Sequence, residues 1–565
     1  MFRNVPHGHS QKISVCEQMG VPVNKIRSRF SSVVSCCLMA AALAVVLMFS
    51  GCGSDGGAGE GWESVDQGAQ WTVDARDAYW TQDQGTRSIP YSWLKSLQDG
   101  NGRPFLRDSL QRYGFMQMQG RELPVGFALG NDLSRVKQVG YTCSACHSRE
   151  VVVGGDKYRI DGAPSLANFE QYTKELSAAF LATVGDAARF DAFLARVQSA
   201  SRDLGDPTIS DKAALKRQVL AWQQLNAQFY DATLPDPDMW GVGRLDALNQ
   251  ILSRVAGVLV SPDPNGLIVS NLHKANRPVR PPFLWDVKYQ DRTQWTGSSA
   301  NGNSDLALKR NYSEILGVGV ELVAVADPSK ESGFDWLANS TANWEGLKSL
   351  EELVANIGPP RWPWKVDAQL ATRGKALYGN LCVSCHGITP GQARPPNLAT
   401  WATPVMNVGT DPTYYSSLSR TGSSGILSGY LAPVVPLPVL SNAVSVLGLK
   451  QHQPSIALNY ALPVSQTGSF ESRVMRGIWA AAPYLHNGSV PTLDDLLKPA
   501  AQRPATFKVG TVYDVQKVGL SSTQPDRPGA IYSTSVEGNS NAGHEYGTTL
   551  SDQDRASLLE YLKTL

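Results

Sequence analysis

Two pentapeptides in this chain carry residues spaced for one kind of chemistry: Cys143-Ser144-Ala145-Cys146-His147 and Cys382-Val383-Ser384-Cys385-His386. Cys-x-x-Cys-His is the attachment sequence of c-type haem. Two thiols two residues apart reach the vinyl groups along one edge of a porphyrin, and the histidine that follows lies under the iron as its proximal ligand. A Cys-x-x-Cys pair also serves as a zinc half-site or a dithiol redox couple. Zinc would need further thiolates or a histidine pair, and beyond Cys52 the sequence has no cysteine outside these motifs. The expectation is two covalent haems, held by Cys143, Cys146 and His147 and by Cys382, Cys385 and His386.

Each iron has a second axial position. Besides the proximal pair, the histidines after the N-terminal leader are His273, His452, His486 and His544, and the thioether candidates are Met475 and Met406. Residue type alone leaves the choice among them open.

Elements must then bring these groups to a porphyrin. Residues 367–384 have a helical apolar pattern (Leu370, Leu377, Leu381) that runs straight into the second motif. Residues 551–565 open with Ser-x-x-Asp, a capping-box-like start, and read as a terminal helix. Residues 186–200, with Phe190, Phe193, Leu194 and Val197, and residues 211–230, with Leu215, Val219, Leu220, Trp222 and Leu225, read as core helices without chemistry. A strand is expected at 158–160, with a turn at 160–164. The segment 351–364, with Gly358-Pro359-Pro360, reads as a boundary. The fold class expected is mainly α: two cytochrome c-like haem domains, residues 76–357 and 358–565, with long loops and helical insertions.

At 565 residues the chain can hold several cores. With 51 Lys and Arg against 50 Asp and Glu, it offers no basic surface for nucleic acid. Lys25, Arg27 and Arg29 precede an apolar run, residues 33–49, too short to span a bilayer comfortably. The run ends in Phe49-Ser50-Gly51-Cys52, which resembles a lipoprotein box, with Met19 the better start. Residues 1–52 are thus expected to be a lipoprotein signal, Cys52 the lipidated residue and 53–75 a tether beginning in a flexible Gly-rich stretch. The expected location is the periplasm or cell surface, membrane-anchored, with soluble secretion as the alternative.

The C-terminal half adds a resemblance. Ala482-Pro483-Tyr484-Leu485-His486-Asn487-Gly488-Ser489-Val490-Pro491-Thr492-Leu493, followed by Gly543-His544-Glu545-Tyr546-Gly547-Thr548-Thr549-Leu550, resembles the di-haem cytochrome c peroxidase superfamily. Ile160-Asp161-Gly162-Ala163-Pro164, Gln294-Trp295-x-Gly-Ser, Arg310-Asn311, Val408-Gly409-Thr410-Asp411 and Phe507-Lys508-Val509-Gly510 also match. In that family the residue before Gly-Thr-Thr-Leu is the sixth ligand of the second haem, commonly methionine. His544 stands there in this chain, as in the branch of the rubber oxygenases and the bacterial di-haem fatty-acid dioxygenases. The resemblance implies a second iron held by His386 and His544, with His486 as a partner of a propionate or of backbone. It also implies a first iron, on His147, that carries the chemistry. Peroxidases of the family place a glutamine and a glutamate beside that iron, and rubber oxygenases an apolar residue and a tryptophan. Trp295 with Ile315 or Leu316 would make an apolar lid; Glu314 would restore a proton carrier.

Three functions are consistent with this reading. The first is a dioxygenase of an unsaturated hydrophobic substrate, a fatty acid or an isoprenoid. The second is a hydrogen peroxide reductase fed by a small redox protein. The third is a non-catalytic electron carrier, which would hardly require the insertions between 165 and 285. A bis-His second haem, of lower potential than a His/Met one, argues against the peroxide reductase. Dioxygen, the hydrophobic substrate or peroxide are the expected small partners, and a monomer the expected state.

Overall fold

A computed structural model describes residues 61–207, 211–236, 239–387, 401, 403–456 and 467–565. Cys52, the apolar run and most of the tether lie outside them. Among the described residues helices dominate, and strands are only two to six residues long.

The N-terminal part is built on two three-stranded sheets. Strands β1 (Glu63–Ser64), β2 (Ile89–Pro90), β3 (Phe127–Asn131), β4 (Lys137–Tyr141), β5 (Ser148–Val153) and β6 (Asp156–Asp161) pair in the orders β1-β6-β5 and β2-β4-β3. β4 leads into the first haem motif and β5 leaves it, so the motif is clamped between the two sheets. The expected strand at 158–160 lies within β6. Its last residue, Asp161, is fully buried and accepts hydrogen bonds from Trp71 Nε1 (3.0 Å), Arg76 Nε (2.9 Å), Trp80 Nε1 (2.6 Å) and Ser148 Oγ (3.0 Å). A carboxylate with four donors bears its desolvation, and it ties the residue after His147 to helix α1 (Val73–Thr81).

The helical insertion comprises α2 (Phe169–Val184), α3 (Ala187–Leu204) and α4 (Lys212–Thr233). Asp186 and Asp211 cap α3 and α4 by accepting from Arg189 N and Ala213 N, as short polar residues do at helix starts. Phe190, Phe193, Leu194, Val197, Leu215 and Val219 join one buried cluster with Trp93, Phe115 and Phe127. Leu220, expected on the apolar face of α4, is 37 % exposed.

Downstream lie α5 (Ala247–Arg254), α6 (Ser304–Val318), α7 (Trp344–Asn356), α8 (Ala368–Leu381), α9 (Leu437–His452) and α10 (Asp552–Leu562). α8 delivers the second motif and packs on α10, whose N-cap Ser551 accepts from Asp554 N. Their crossing is close enough that a Cβ on Gly374 would lie 2.0 Å from Ser557 O, so a glycine is required there.

The boundary expected near 358 falls in the link between α7 and α8, and the packing continues across it. One cluster holds Val65, Trp285 and Leu350 together with Trp479, Tyr513 and Leu558. Gln67 Nε2 donates to Gly358 O (3.1 Å) and Trp285 Nε1 to Arg476 O (2.7 Å). Residues 56–565 form one compact unit, and no helix among the described residues is long and apolar enough to cross a membrane.

Candidate functional site

Each Cys-x-x-Cys-His motif opens onto its own cavity. Cys143 to Cys146 form a single helical turn capped by His147, whose N–H donates to Cys143 O (3.0 Å). The imidazole Nδ1 lies 2.9 Å from Pro282 O. A carbonyl only accepts, so Nδ1 carries the proton and Nε2 keeps its lone pair free for a metal. Burial pushes His147 down to about 4, which holds it neutral. The surrounding cavity, about 1360 Å³, is lined by both thiols, His147 and apolar side chains including Leu245, Ile251, Val279 and Phe283.

The second motif repeats the device. His386 Nδ1 lies 2.7 Å from Arg473 O, so this imidazole too is fixed by a backbone acceptor. Its cavity, about 1240 Å³, is lined by Cys382, Cys385, His386, His486 and His544 with Met475 and leucines from α8 and α10. The rings of His386 and His544 stand 6.2 Å apart, centre to centre, at 51°. Two imidazoles sharing one metal need about this separation, since each metal–nitrogen bond spans about 2 Å. His544 Nδ1 is buried without a partner, and burial, then the neighbouring His386, push His544 down to about 4. Its backbone is held in the left-handed region, φ 50°, by a hydrogen bond from its N–H to Val408 O (2.8 Å). A non-glycine residue in that region is a local strain that the surroundings must impose. Paired thiols, neutral fixed imidazoles, an orphaned ring nitrogen and apolar cavities of this size fit haem at both sites. No group of three or more His, Cys, Asp or Glu poised for a metal ion occurs among the described residues.

Of the rival ligands, His486 and Met475 line the second cavity and the others line neither. His452 stacks on Trp344 (4.0 Å, 6°) outside both cavities, and His273 lines neither. His486 lines the second cavity but stacks on Phe470 (3.8 Å, 15°). Met406 contacts Cys385 Sγ through sulfur at 3.5 Å without lining the cavity, whereas Met475 does line it.

The candidates on α6 divide sharply. Ile315 and Leu316 are fully buried in a separate core with Trp336, Leu347 and Leu437, and line no haem cavity. The apolar lid expected from them is therefore corrected: the helix turns them toward the α7 and α9 side. Glu314 lines the first cavity instead, accepting from Gln294 Nε2 at 2.9 Å. Burial raises its carboxyl pKa, against lesser lowering by the Gln294 bond and the Arg310 charge. Arg310 is itself engaged by Asn301 Oδ1 (2.5 Å) and by Glu351.

Trp295 sits in the wall between the cavities. It lines both, as do Arg280, Phe283 and Arg473, and donates from Nε1 to Arg280 O (2.8 Å). Arg473 Nη2 donates to Phe283 O (2.7 Å). The proximal histidines thus hang from one continuous scaffold: His147 on Pro282, Phe283 bonded to Arg473, and Arg473 holding His386. Sequence reasoning missed Gln294 as the partner of Glu314, and Asp161, Arg280 and Arg473 as supports. An arginine in the wall beside the second motif has no spacing signature, whereas Asp161 and Gln294 lie in segments, 160–164 and Gln294-Trp295, that the sequence marks without their roles.

Residues 469–508, which form much of that wall and of the second cavity, match the family described as RoxA-like, cytochrome c-like. Over 574 aligned residues, 88 % of this chain and 92 % of the relative, the sequence is 30 % identical to the uncharacterized protein y4iJ of Sinorhizobium fredii. The chain belongs to the family of that protein. A second relative in the same organism, the uncharacterized protein y4iM, is 27 % identical over 310 residues, covering 50 % of this chain and 63 % of the relative. The matched segment contains Phe470, Arg473, Met475, Tyr484 and His486. The RoxA-like, cytochrome c-like match thus falls on residues that line the second cavity.

Proposed function

We propose that this family member is an exported di-haem c-type oxidoreductase that carries out its chemistry at the His147 cavity and moves electrons through the His386–His544 cavity. One observation carries the reading: His386 is faced by a second imidazole 6.2 Å away, and His147 by none among the described residues. An iron held on both sides by histidine is saturated, while one held on one side can take an exogenous ligand. The bound haem would supply the site of oxidant activation and the electron store. The protein's own contribution is then positional. Pro282 O orients His147, Leu245, Ile251 and Val279 keep the cavity apolar, and Glu314, its carboxyl pKa raised by burial, places a proton-exchanging group inside it, steadied by Gln294.

The apolar lining and the relation to rubber oxygenases favour dioxygen as oxidant and an unsaturated hydrophobic substrate, a fatty acid or an isoprenoid. A second reading, peroxide reduction, is favoured by the Glu314–Gln294 pair, since cleaving a peroxide requires a proton to pass from one oxygen to the other. Pure holoprotein given dioxygen and a panel of alkenes without reductant should yield oxygenated or cleaved products by mass spectrometry. Absence of products, with peroxide consumed at the expense of a reduced electron donor, would establish the second reading instead. Two covalent haems follow from the two motifs, and an intact mass carrying a single haem would refute that part. Lipidation at Cys52 is proposed as the anchor; Cys52→Ala should release the protein from membranes, and unchanged membrane association would refute it.

A further inference from the structure

Away from both haem cavities, a polar cleft of about 1270 Å³ opens beside Trp62, between β5, β6, the 114–120 turn and the 521–530 loop. Its charged lining is one-sided: Arg149, Lys157, Arg159 and Arg527 against Glu150 alone. Glu150 is taken up by Arg159 (3.5 Å) and Lys157 (3.8 Å), and Arg159 lies over the Trp62 ring at 4.7 Å.

Arg149 and Arg527 have no carboxylate partner among the described residues. Arg149 is 1 % exposed; its Nη1 donates to Ala480 O and Ala482 O, while Nε and Nη2 are buried with no partner. Arg527 donates from Nη2 to Leu166 O (3.0 Å), and its Nε is likewise buried and unpartnered. Burial pushes both guanidinium pKa values down to about 10. Buried guanidinium groups without a counter-charge are costly, several kcal/mol each in general, and folds retain such groups where something anionic satisfies them. Haem propionates are not that partner: Arg149 and Arg527 line neither haem cavity, whereas Arg280 and Arg473 line both.

We propose that this cleft is a binding site for a tetrahedral oxyanion of the phosphate class, held by Arg149 and Arg527. Two guanidinium groups from separate segments, each with an unpartnered nitrogen, suit an anion with several oxygens on one centre better than a single carboxylate. The oxyanion could be free in solution or the headgroup of an anionic lipid, and the two sources share this chemistry. The proposal is independent of the reaction assigned to the His147 cavity.

The test uses the full-length holoprotein and titration calorimetry with inorganic phosphate, alongside flotation of its Cys52→Ala form, which lacks the proposed lipid anchor, with phosphatidylglycerol vesicles. Saturable one-to-one phosphate binding is expected, weakened at least about tenfold by Arg527→Gln and by Arg149→Gln. It should be untouched by Arg217→Gln, an exposed arginine on α4 outside the cleft. Arg527→Gln carries the test if the deeply buried Arg149 cannot be replaced without unfolding. Vesicle binding that falls with Arg527→Gln, in the absence of phosphate binding, assigns the oxyanion to a lipid headgroup. No saturable binding of either probe, or binding indifferent to Arg527→Gln, overturns the site.

Discussion

The two haem cavities are nearly equal in volume and are built the same way on one side: paired thiols, then an imidazole whose Nδ1 is fixed by a backbone carbonyl. They differ in what else their walls contain. The second places His544 against His386; the first places a buried, protonatable Glu314 in a cavity with one histidine. On the proposed function, one architecture would serve two tasks through a small number of side chains. A saturated iron changes oxidation state with little rearrangement, while an open one needs a proton source and a dry chamber beside it.

The strongest way to break the comparison is His147→Ala. Turnover should fall to background, while the low-spin spectrum of the second haem persists; retained turnover would move the chemistry elsewhere. His544→Ala should open the closed cavity, converting its haem to a high-spin or ligand-binding species in absorption and EPR spectra. Unchanged spectra would remove His544 as ligand and bring Met475, in the same cavity, forward.

Glu314→Gln sharpens the contrast. If its proton is used in turnover, kcat should drop by about 10²–10⁴, the usual range for a positioned acid. Burial raises the Glu314 pKa, so its proton persists above the ordinary glutamate range and is lost as pH rises through the raised value. Wild-type turnover should decline across that window and the variant should lack that limb. The same sign holds for stability: the folded state binds the proton more tightly, so this group's contribution falls as pH rises through the window. A pH profile shared by both proteins would exclude Glu314.

The smallest functional effect is expected from Leu316→Ala. It should lower stability by about 2–5 kcal/mol, as for other buried leucines, in a denaturant titration. Activity per folded holoprotein should be retained, since Leu316 packs in a core outside the cavity. A selective loss of kcat would restore the apolar-lid reading.

These outcomes mark what could be read from sequence. The two Cys-x-x-Cys-His motifs stood out because their spacing suits one chemistry, and the placing of His544 opposite His386 was legible because its neighbours Gly547-Thr548-Thr549-Leu550 located it. The helix start at Ser551 was legible because a cap is a local bargain between one side chain and the next turn. The choice among Glu314, Ile315 and Leu316 was not, because adjacent residues on a helix point about 100° apart and only the tertiary setting fixes which direction is the cavity. Gln294 reaches Glu314 from a different segment, a pairing that no local pattern encodes. The two-residue strands escaped because so short a segment has no periodicity to detect.

The scaffold joining the proximal histidines has a consequence for how the protein is made. Part of the first cavity's wall is Arg473, more than three hundred residues after Cys143 in the chain, and it is bonded to the segment that holds His147. As the chain emerges from its amino end, Cys143 and Cys146 appear long before their chamber has all its sides. Ligation to the first porphyrin would thus precede the enclosure of that porphyrin, and the last third of the polypeptide acts as the door that shuts behind it. A fragment ending near residue 358 is accordingly a vestibule without its back wall, not a smaller enzyme.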